Sequence, residues 1–222
     1  MPIHRDSSEI DLAVVGGGAA GFFGAITCGE ARPGTRIVVF EKSREFLSKV
    51  KISGGGRCNV THACFDPREL VTAYPRGAKQ LIGPFSRWGP AETMDWFEER
   101  GVPLKIESDN RVFPKSDQSQ TIIDCLKAEA ERAGVEMEAE HAVERIDQTD
   151  LGFILTTSRG EEIRAERVLL TTGGTRLRIG EDIARHLGHR VEPAAPSLFT
   201  FKIDDPKVEG LQGISVVDAN VR

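Results

Sequence analysis

The segment from Ile10 to Glu41 constrains this chain more than any other. An apolar run, Ile10-Asp11-Leu12-Ala13-Val14-Val15, leads into Gly16-Gly17-Gly18-Ala19-Ala20-Gly21. A helix-length stretch to Ala31 follows, and a second apolar run, Ile37-Val38-Val39-Phe40, ends on Glu41. Strand, glycine turn, helix and strand make one βαβ unit with a G-x-G-x-x-G fingerprint. Gly16 permits the tight turn, Gly18 lets the backbone approach a pyrophosphate, and Gly21 with Ala25 lets the helix lie against the sheet. The helix N-terminus offers N–H groups and partial positive charge to a diphosphate, which adds Gly17, Ala19 and Ala20 to the candidate cofactor-binding residues. Glu41, twenty positions after Gly21, can accept hydrogen bonds from ribose hydroxyls and selects an adenosine with a free 2′-OH. Lys42 stands beside it. This unit alone does not separate FAD from NAD.

With 222 residues, 39% of them hydrophobic, the chain can bury a substantial core. Its net charge of −5 without a basic stripe argues against nucleic acid or an anionic membrane as partner. The apolar runs are too short to span a bilayer, and the first nine residues carry no apolar signal segment, so a cytoplasmic protein is expected. Cys28, Cys58, Cys64 and Cys125 form no C-x-x-C pair, so reduced thiols and no metal site are expected.

A second glycine segment follows the fingerprint. Ser53-Gly54-Gly55-Gly56-Arg57-Cys58-Asn59-Val60-Thr61, preceded by Lys49 and Lys51, reads as a loop whose N–H groups and cations suit phosphate or the edge of a flavin ring. These nine residues resemble the S-G-G-G-R-C-N-x-T signature of a bacterial flavoprotein family that includes aminoacetone oxidase-like enzymes. The resemblance continues at Arg111-Val112-Phe113-Pro114-Lys115-Ser116, Thr171-Thr172-Gly173-Gly174, Leu187-Gly188-His189 and Pro196-Ser197-Leu198. It implies FAD as cofactor, with the phosphates and ring edge against Lys51, Ser53, Gly54, Gly55, Gly56, Arg57, Cys58 and Asn59. It further implies that Val143 passes the adenine and that Thr172, Gly173 and Gly174 run along the cofactor. His62 stands where the family has Asn, and the family's glycine-rich segment after the Thr-Gly-Gly turn is missing. Relatives are about twice as long. Residues 1–193 are therefore read as the FAD-binding domain and 194–222 as the beginning of an inserted β-rich domain, truncated within it. An isolated chain of this length is expected to hold flavin loosely.

The remaining pattern fits that architecture. Asp66 and Pro90 are start signals for helices over 67–71 and 91–99, and Gly101 ends the second. Trp88, Trp96 and Phe97 suit either the core or the lining of a flavin pocket. Residues 104–107 and 111–113 read as a hairpin, and a helix over 118–133 is predicted to start with a capping box between Asp117 and Gln120. Period-two segments at 135–137, 142–146, 152–157 and 161–164 predict a strand and a small antiparallel meander, and 167–170 a separate buried strand. The fold class is α/β: a Rossmann-like FAD domain of the glutathione-reductase type with a β-meander.

The function expected is an FAD-dependent oxidoreductase moving a hydride between FAD and a small-molecule substrate, with NAD(P)H as a further candidate partner. An NAD-linked dehydrogenase and a catalytically incomplete FAD-binding module are the alternatives. Arg111 and Lys115 are candidates for substrate contact or for plain surface residues. Cys58 is either a reactive thiol or a packing residue, and no side chain is singled out as acid or base.

Overall fold

The computed structural model describes residues 9–174, 178–194 and 204–208. In chain order its elements begin β1 (Ile10–Val15), α1 (Ala19–Ala31), β2 (Ile37–Phe40), α2 (Ser48–Ile52), β3 (Thr61–His62), α3 (Pro67–Leu70), α4 (Ala78–Phe85) and α5 (Pro90–Glu99). They continue β4 (Leu104–Ile106), β5 (Arg111–Pro114), α6 (Ser119–Arg132), β6 (Val135–Glu138), β7 (Val143–Thr149), β8 (Gly152–Thr157), β9 (Glu162–Leu170) and α7 (Ile179–His186).

One six-stranded sheet has the order β6-β2-β1-β9-β8-β7, parallel through β9 and antiparallel beyond it. Strand alternation divides its side chains between two cores. Val14, Ile37 and Val39 pack against Phe22, Ala25 and Ile26 of α1 and Ile122, Ile123 and Leu126 of α6. Ala13, Val15, Val38 and Phe40 pack against Val143, Ile146 and Leu155 of the antiparallel strands and Ile183 of α7. Covering both faces is what makes β2 and residues 12–15 of β1 continuously apolar, and burying a side chain such as Phe22 or Ile26 contributes roughly 1.5–3 kcal/mol. The predicted Rossmann-like α/β fold is what the chain adopts. A second sheet, β3-β5-β4, is antiparallel.

Two expectations are corrected. Residues 161–164 and 167–170 do not form two strands: β9 is continuous, pairing antiparallel with β8 up to Ala165 and parallel with β1 from Ala165 to Leu170. The polar pair Glu166-Arg167 interrupts the apolar pattern without interrupting the ladder. Asp117 forms no capping box; its φ is +55°, and its carboxylate is drawn to Lys105 Nζ at 2.5 Å and Arg57 Nη1 at 3.5 Å. Gln118 takes the N-cap position without a side-chain bond. The other start signals hold: Asp66 caps α3 and accepts from Arg68 N at 2.8 Å, and Pro90 is the first residue of α5, where Glu92 accepts from Gly89 N at 2.8 Å.

The chain divides into a unit ending at Val191 and a short one from Glu192. Of the second, residues 192–194 and 204–208 are described, with a 3-10 turn at Pro206–Val208; the remainder of the β-rich segment expected over 194–222 lies outside the described residues. No helix among the described residues is long and apolar enough to cross a membrane.

Candidate functional site

The site forms where β1, β2 and β9 end together. Gly16 leaves β1 with φ +115°, and its N–H donates to Phe40 O at 2.9 Å. Thr171, just past β9, donates its N–H to Val15 O at 2.8 Å and its hydroxyl to Gly16 O at 2.9 Å. A Cβ on Gly16 would collide with Thr171 O, and one on Gly21 with Gly16 O. The first turn of α1 then begins without a side-chain cap and without an acidic residue. Its N–H groups therefore lack the partners that helix starts usually recruit, at a place where Gly18, Ala19 and Ala20 line a cavity of about 840 Å³. A Cβ on Gly18 would meet nothing within 4 Å. Free donors, helix-end polarity and open space are what a diphosphate needs, and the cavity volume lies in the range of cofactor sites.

Glu41 is held before any ligand arrives. Its Oε2 accepts from Gly17 N at 2.8 Å, and its Oε1 accepts from Ser43 N at 2.9 Å and from the Ser43 hydroxyl. His141 N donates to Glu41 O at 2.9 Å, which ties this residue to the strand entering the meander. A carboxylate has about four acceptor positions, so with three filled a ligand hydroxyl finds one free, or a second if Ser43 turns away.

The second glycine segment is a tight 3-10 turn, Ser53–Gly56, with Gly54 at φ 56°, ψ 30° and Gly55 at φ 68°, ψ 33°. Gly56 continues the left-handed run at φ 85°, and after Arg57 at φ −94° Cys58 is left-handed again at φ 62°. Cys58 is buried; burial pushes its thiol up, with hydrogen bonding to Ser53 opposing the shift. Arg57 lies over the Phe113 ring at 3.9 Å and donates to Glu107 at 2.6 Å, so its charge is committed within the protein. Lys51 donates to Glu45 at 3.1 Å.

Of the residues named from the sequence, Gly16, Gly17, Gly18, Ala19, Ala20, Glu41, Lys42, Ser53, Cys58, Asn59, Val143, Thr172, Gly173 and Gly174 line the cavity. Gly21, Lys51, Gly54, Gly55, Gly56 and Arg57 stand outside its lining. Lys49, one of the two cations before the second glycine segment, lines it as well, together with Ser43, Ser48, Thr171 and the first turn of α7. A Cβ on Gly173 would lie 3.0 Å from Lys49 Nζ, so this ammonium spans from α2 to the turn after β9. Residues two apart on a helix point to different sides, which was the available signal for choosing between Lys49 and Lys51. Trp88, Trp96 and Phe97 also line the cavity, and Trp96 and Phe97 belong to the core as well.

Comparison with known proteins follows the same outline. The chain is 27% identical over 198 residues to a 3-dehydro-bile acid delta(4,6)-reductase of Clostridium scindens, covering 86% of this chain and 47% of that protein. It is 27% identical over 215 residues to a ribosomal RNA dihydrouridine synthase of Escherichia coli, covering 94% and 52%. The chain thus spans about half the length of the curated relatives it matches. Among solved structures, the FrdA subunit of E. coli quinol fumarate reductase superposes with TM-score 0.58 at 24% identity, over 75% of this chain and 33% of that one. THI4 of Thermovibrio ammonificans gives 0.55 at 16%, over 82% and 64%. At these identities the structures establish the fold. Residues 10–205 match the family model described as the HI0933-like protein Rossmann domain, and the chain is therefore a member of that family of FAD-binding flavoprotein domains.

Proposed function

We propose that this chain forms the FAD-binding part of an oxidoreductase that saturates a carbon–carbon double bond conjugated to a carbonyl group, with a reduced nicotinamide as the source of electrons. The observation that carries the FAD assignment is the uncapped start of α1 opening beside Glu41 on a cavity of about 840 Å³. The reaction class is supported by the two 27%-identical relatives, whose names both describe that type of reduction. When bound, FAD would supply the redox chemistry: reduced by the nicotinamide, it would be reoxidised as the double bond is reduced. The chain's own residues bind and orient. Gly18, Ala19 and Ala20 present N–H groups to the diphosphate, Glu41 accepts from a ribose hydroxyl, and Lys49 places positive charge across from the Thr172-Gly173 turn. The buried Cys58 thiol stays protonated.

The test is an FAD titration of the purified chain, followed by its visible absorption and repeated with Glu41→Gln. Saturable binding that weakens at least tenfold in a variant that still unfolds cooperatively, at a somewhat lower temperature because its amide cannot accept from both Gly17 N and Ser43 N, supports the assignment. Anaerobic bleaching by NADH or NADPH, and reoxidation by an enone but not by a saturated ketone, supports the reaction class. A folded wild-type chain that takes up no FAD overturns the cofactor role of this cavity.

A further inference from the structure

The first glycine turn is spanned by an ammonium that pairs with no carboxylate among the described residues. On one side of the turn, Leu47 N donates to Gly17 O at 2.8 Å, which ties the start of α2 to it. On the other side, the Thr171 hydroxyl donates to Gly16 O at 2.9 Å, which ties down the segment leading into Thr172 and Gly173. Lys49 crosses between these two supports: its Nζ lies 3.0 Å from where a Cβ on Gly173 would stand. Leu47 sets the direction of the crossing. Its side chain is buried and its φ is +59°, a left-handed backbone that leucine adopts only where its surroundings hold it. Ser48 and Lys49 then line the cavity, whereas Lys51 donates to Glu45 at 3.1 Å and stands outside the lining.

We infer that Lys49 is the counter-ion of the cofactor's diphosphate; the inference rests on the FAD-binding reading above. The start of α1 presents the equivalent of about half a positive charge. Against it stands the Glu41 carboxylate, which accepts from Gly17 N at 2.8 Å, one residue before the Gly18 cap. A helix end in such company leaves an ionised diphosphate largely uncompensated. Lys49 supplies a full charge from the opposite side of the same turn, and a phosphate oxygen accepts from an ammonium in a charge-assisted bond. Lys42 also lines the cavity, but the reach to the Thr172-Gly173 turn belongs to Lys49. The N–H groups of Thr172 and Gly173 donate to no acceptor among the described residues, so the ammonium stands beside donors and not beside a competing carboxylate.

The test is calorimetric titration of the purified chain with FAD, ADP and adenosine, at about 0.05 M and 0.5 M NaCl. ADP carries the diphosphate without the flavin, and adenosine carries neither. In Lys49→Gln the affinities for FAD and ADP are expected to fall about tenfold, with adenosine unchanged and a flatter salt dependence. Lys49→Arg is expected to restore most of the loss, and Lys51→Gln to bind as the wild type does, all with wild-type melting temperatures. Wild-type affinity for ADP in Lys49→Gln overturns the inference, and if FAD alone weakens, the ammonium serves the flavin ring instead. An equal loss for adenosine, an unchanged salt dependence, or no recovery in Lys49→Arg gives Lys49 a structural role and overturns it as well. A folded wild type that takes up ADP through Lys49 but no FAD sustains the counter-ion while the FAD assignment fails; one that binds neither overturns both.

Discussion

The two glycine segments, Gly16–Gly21 and Gly54–Gly56, look alike as sequence and use the missing side chain in opposite ways. In the first, glycine lets the protein touch itself: side chains on Gly16 and Gly21 would strike backbone oxygens, and only Gly18 faces free space. In the second, a Cβ on Gly54 would still crowd Asn59 N at 2.8 Å, but Gly55 and Gly56 have nothing within 4 Å of a Cβ position, yet their φ values of 68° and 85° are left-handed. Glycine there serves the direction of the chain, and the residues brought to the cavity are the flanks, Ser53, Cys58 and Asn59. A glycine in a fingerprint is thus a ligand contact only where the space beyond it is open to the ligand.

The comparison breaks most sharply at Gly21. A side chain there collides with Gly16 O and comes within 2.9 Å of Thr171 Oγ1 and 3.2 Å of Val14 Cγ1, all held by the sheet. Gly21→Val is expected to cost more than about 3 kcal/mol, the upper end of ordinary overpacking, and to remove cooperative urea unfolding. A variant with a near-wild-type midpoint would show that α1 can move off the sheet freely.

Gly18 separates packing from ligand contact. Gly18→Val has room for its side chain, so stability is expected to change by no more than about 1 kcal/mol, read from the urea midpoint. FAD affinity is expected to fall more than tenfold, because the new side chain stands before the N–H groups of α1. Equal FAD affinity in a folded variant would mean that the turn is a structural corner only.

How far these features were legible follows from the kind of signal each leaves. β1, α1 and β2 could be read because apolar runs, a glycine turn and a closing acid reinforce one another along 32 consecutive residues from Ile10 to Glu41. Local pattern divides β9 because Glu166 and Arg167 break the apolar run, whereas the strand is carried through them by its pairing with β1, which lies far away in sequence. Local spacing allows Asp117 as a cap; Lys105 and Arg57 take its carboxylate from outside the local window. Trp88, Trp96 and Phe97 are ambiguous since helical spacing is the same for a core residue and a cavity residue, and Trp96 is both. That Glu41 would already hold Gly17 and Ser43 leaves no trace in spacing at all.

Gly55 sharpens the other half of the comparison. Gly55→Ala introduces a Cβ into open space but keeps a left-handed backbone, which costs an L-residue about 1–2 kcal/mol; Gly55→Asn is expected to cost less, because Asn tolerates that region better. Both variants should bind FAD as the wild type does, since Gly55 lies outside the cavity lining. A loss of FAD binding larger than the loss of stability would make the turn itself a ligand contact.

The smallest effect concerns pH and separates the segments by their chemistry. Gly16–Gly21 contains no ionisable side chain, so its contribution does not vary with pH. The turn at Gly54–Gly56 leads into Cys58, whose buried thiol is pushed above its ordinary value. The folded chain therefore keeps this proton at a pH where the unfolded chain has begun to release it. Stability linked to Cys58 is complete below the ordinary thiol range and is lost as pH rises through the raised value. Melting temperatures of the wild type and Cys58→Ala, taken from pH 7 to pH 10.5, should draw together as pH rises, since only the wild type loses this contribution. The variant also cancels any titration of Cys64 and Cys125, whose thiols are raised as well and remain in both proteins. Parallel curves across that range would mean that the thiol meets water freely, and that the left-handed turn delivers Cys58 to the surface and not to the cavity wall.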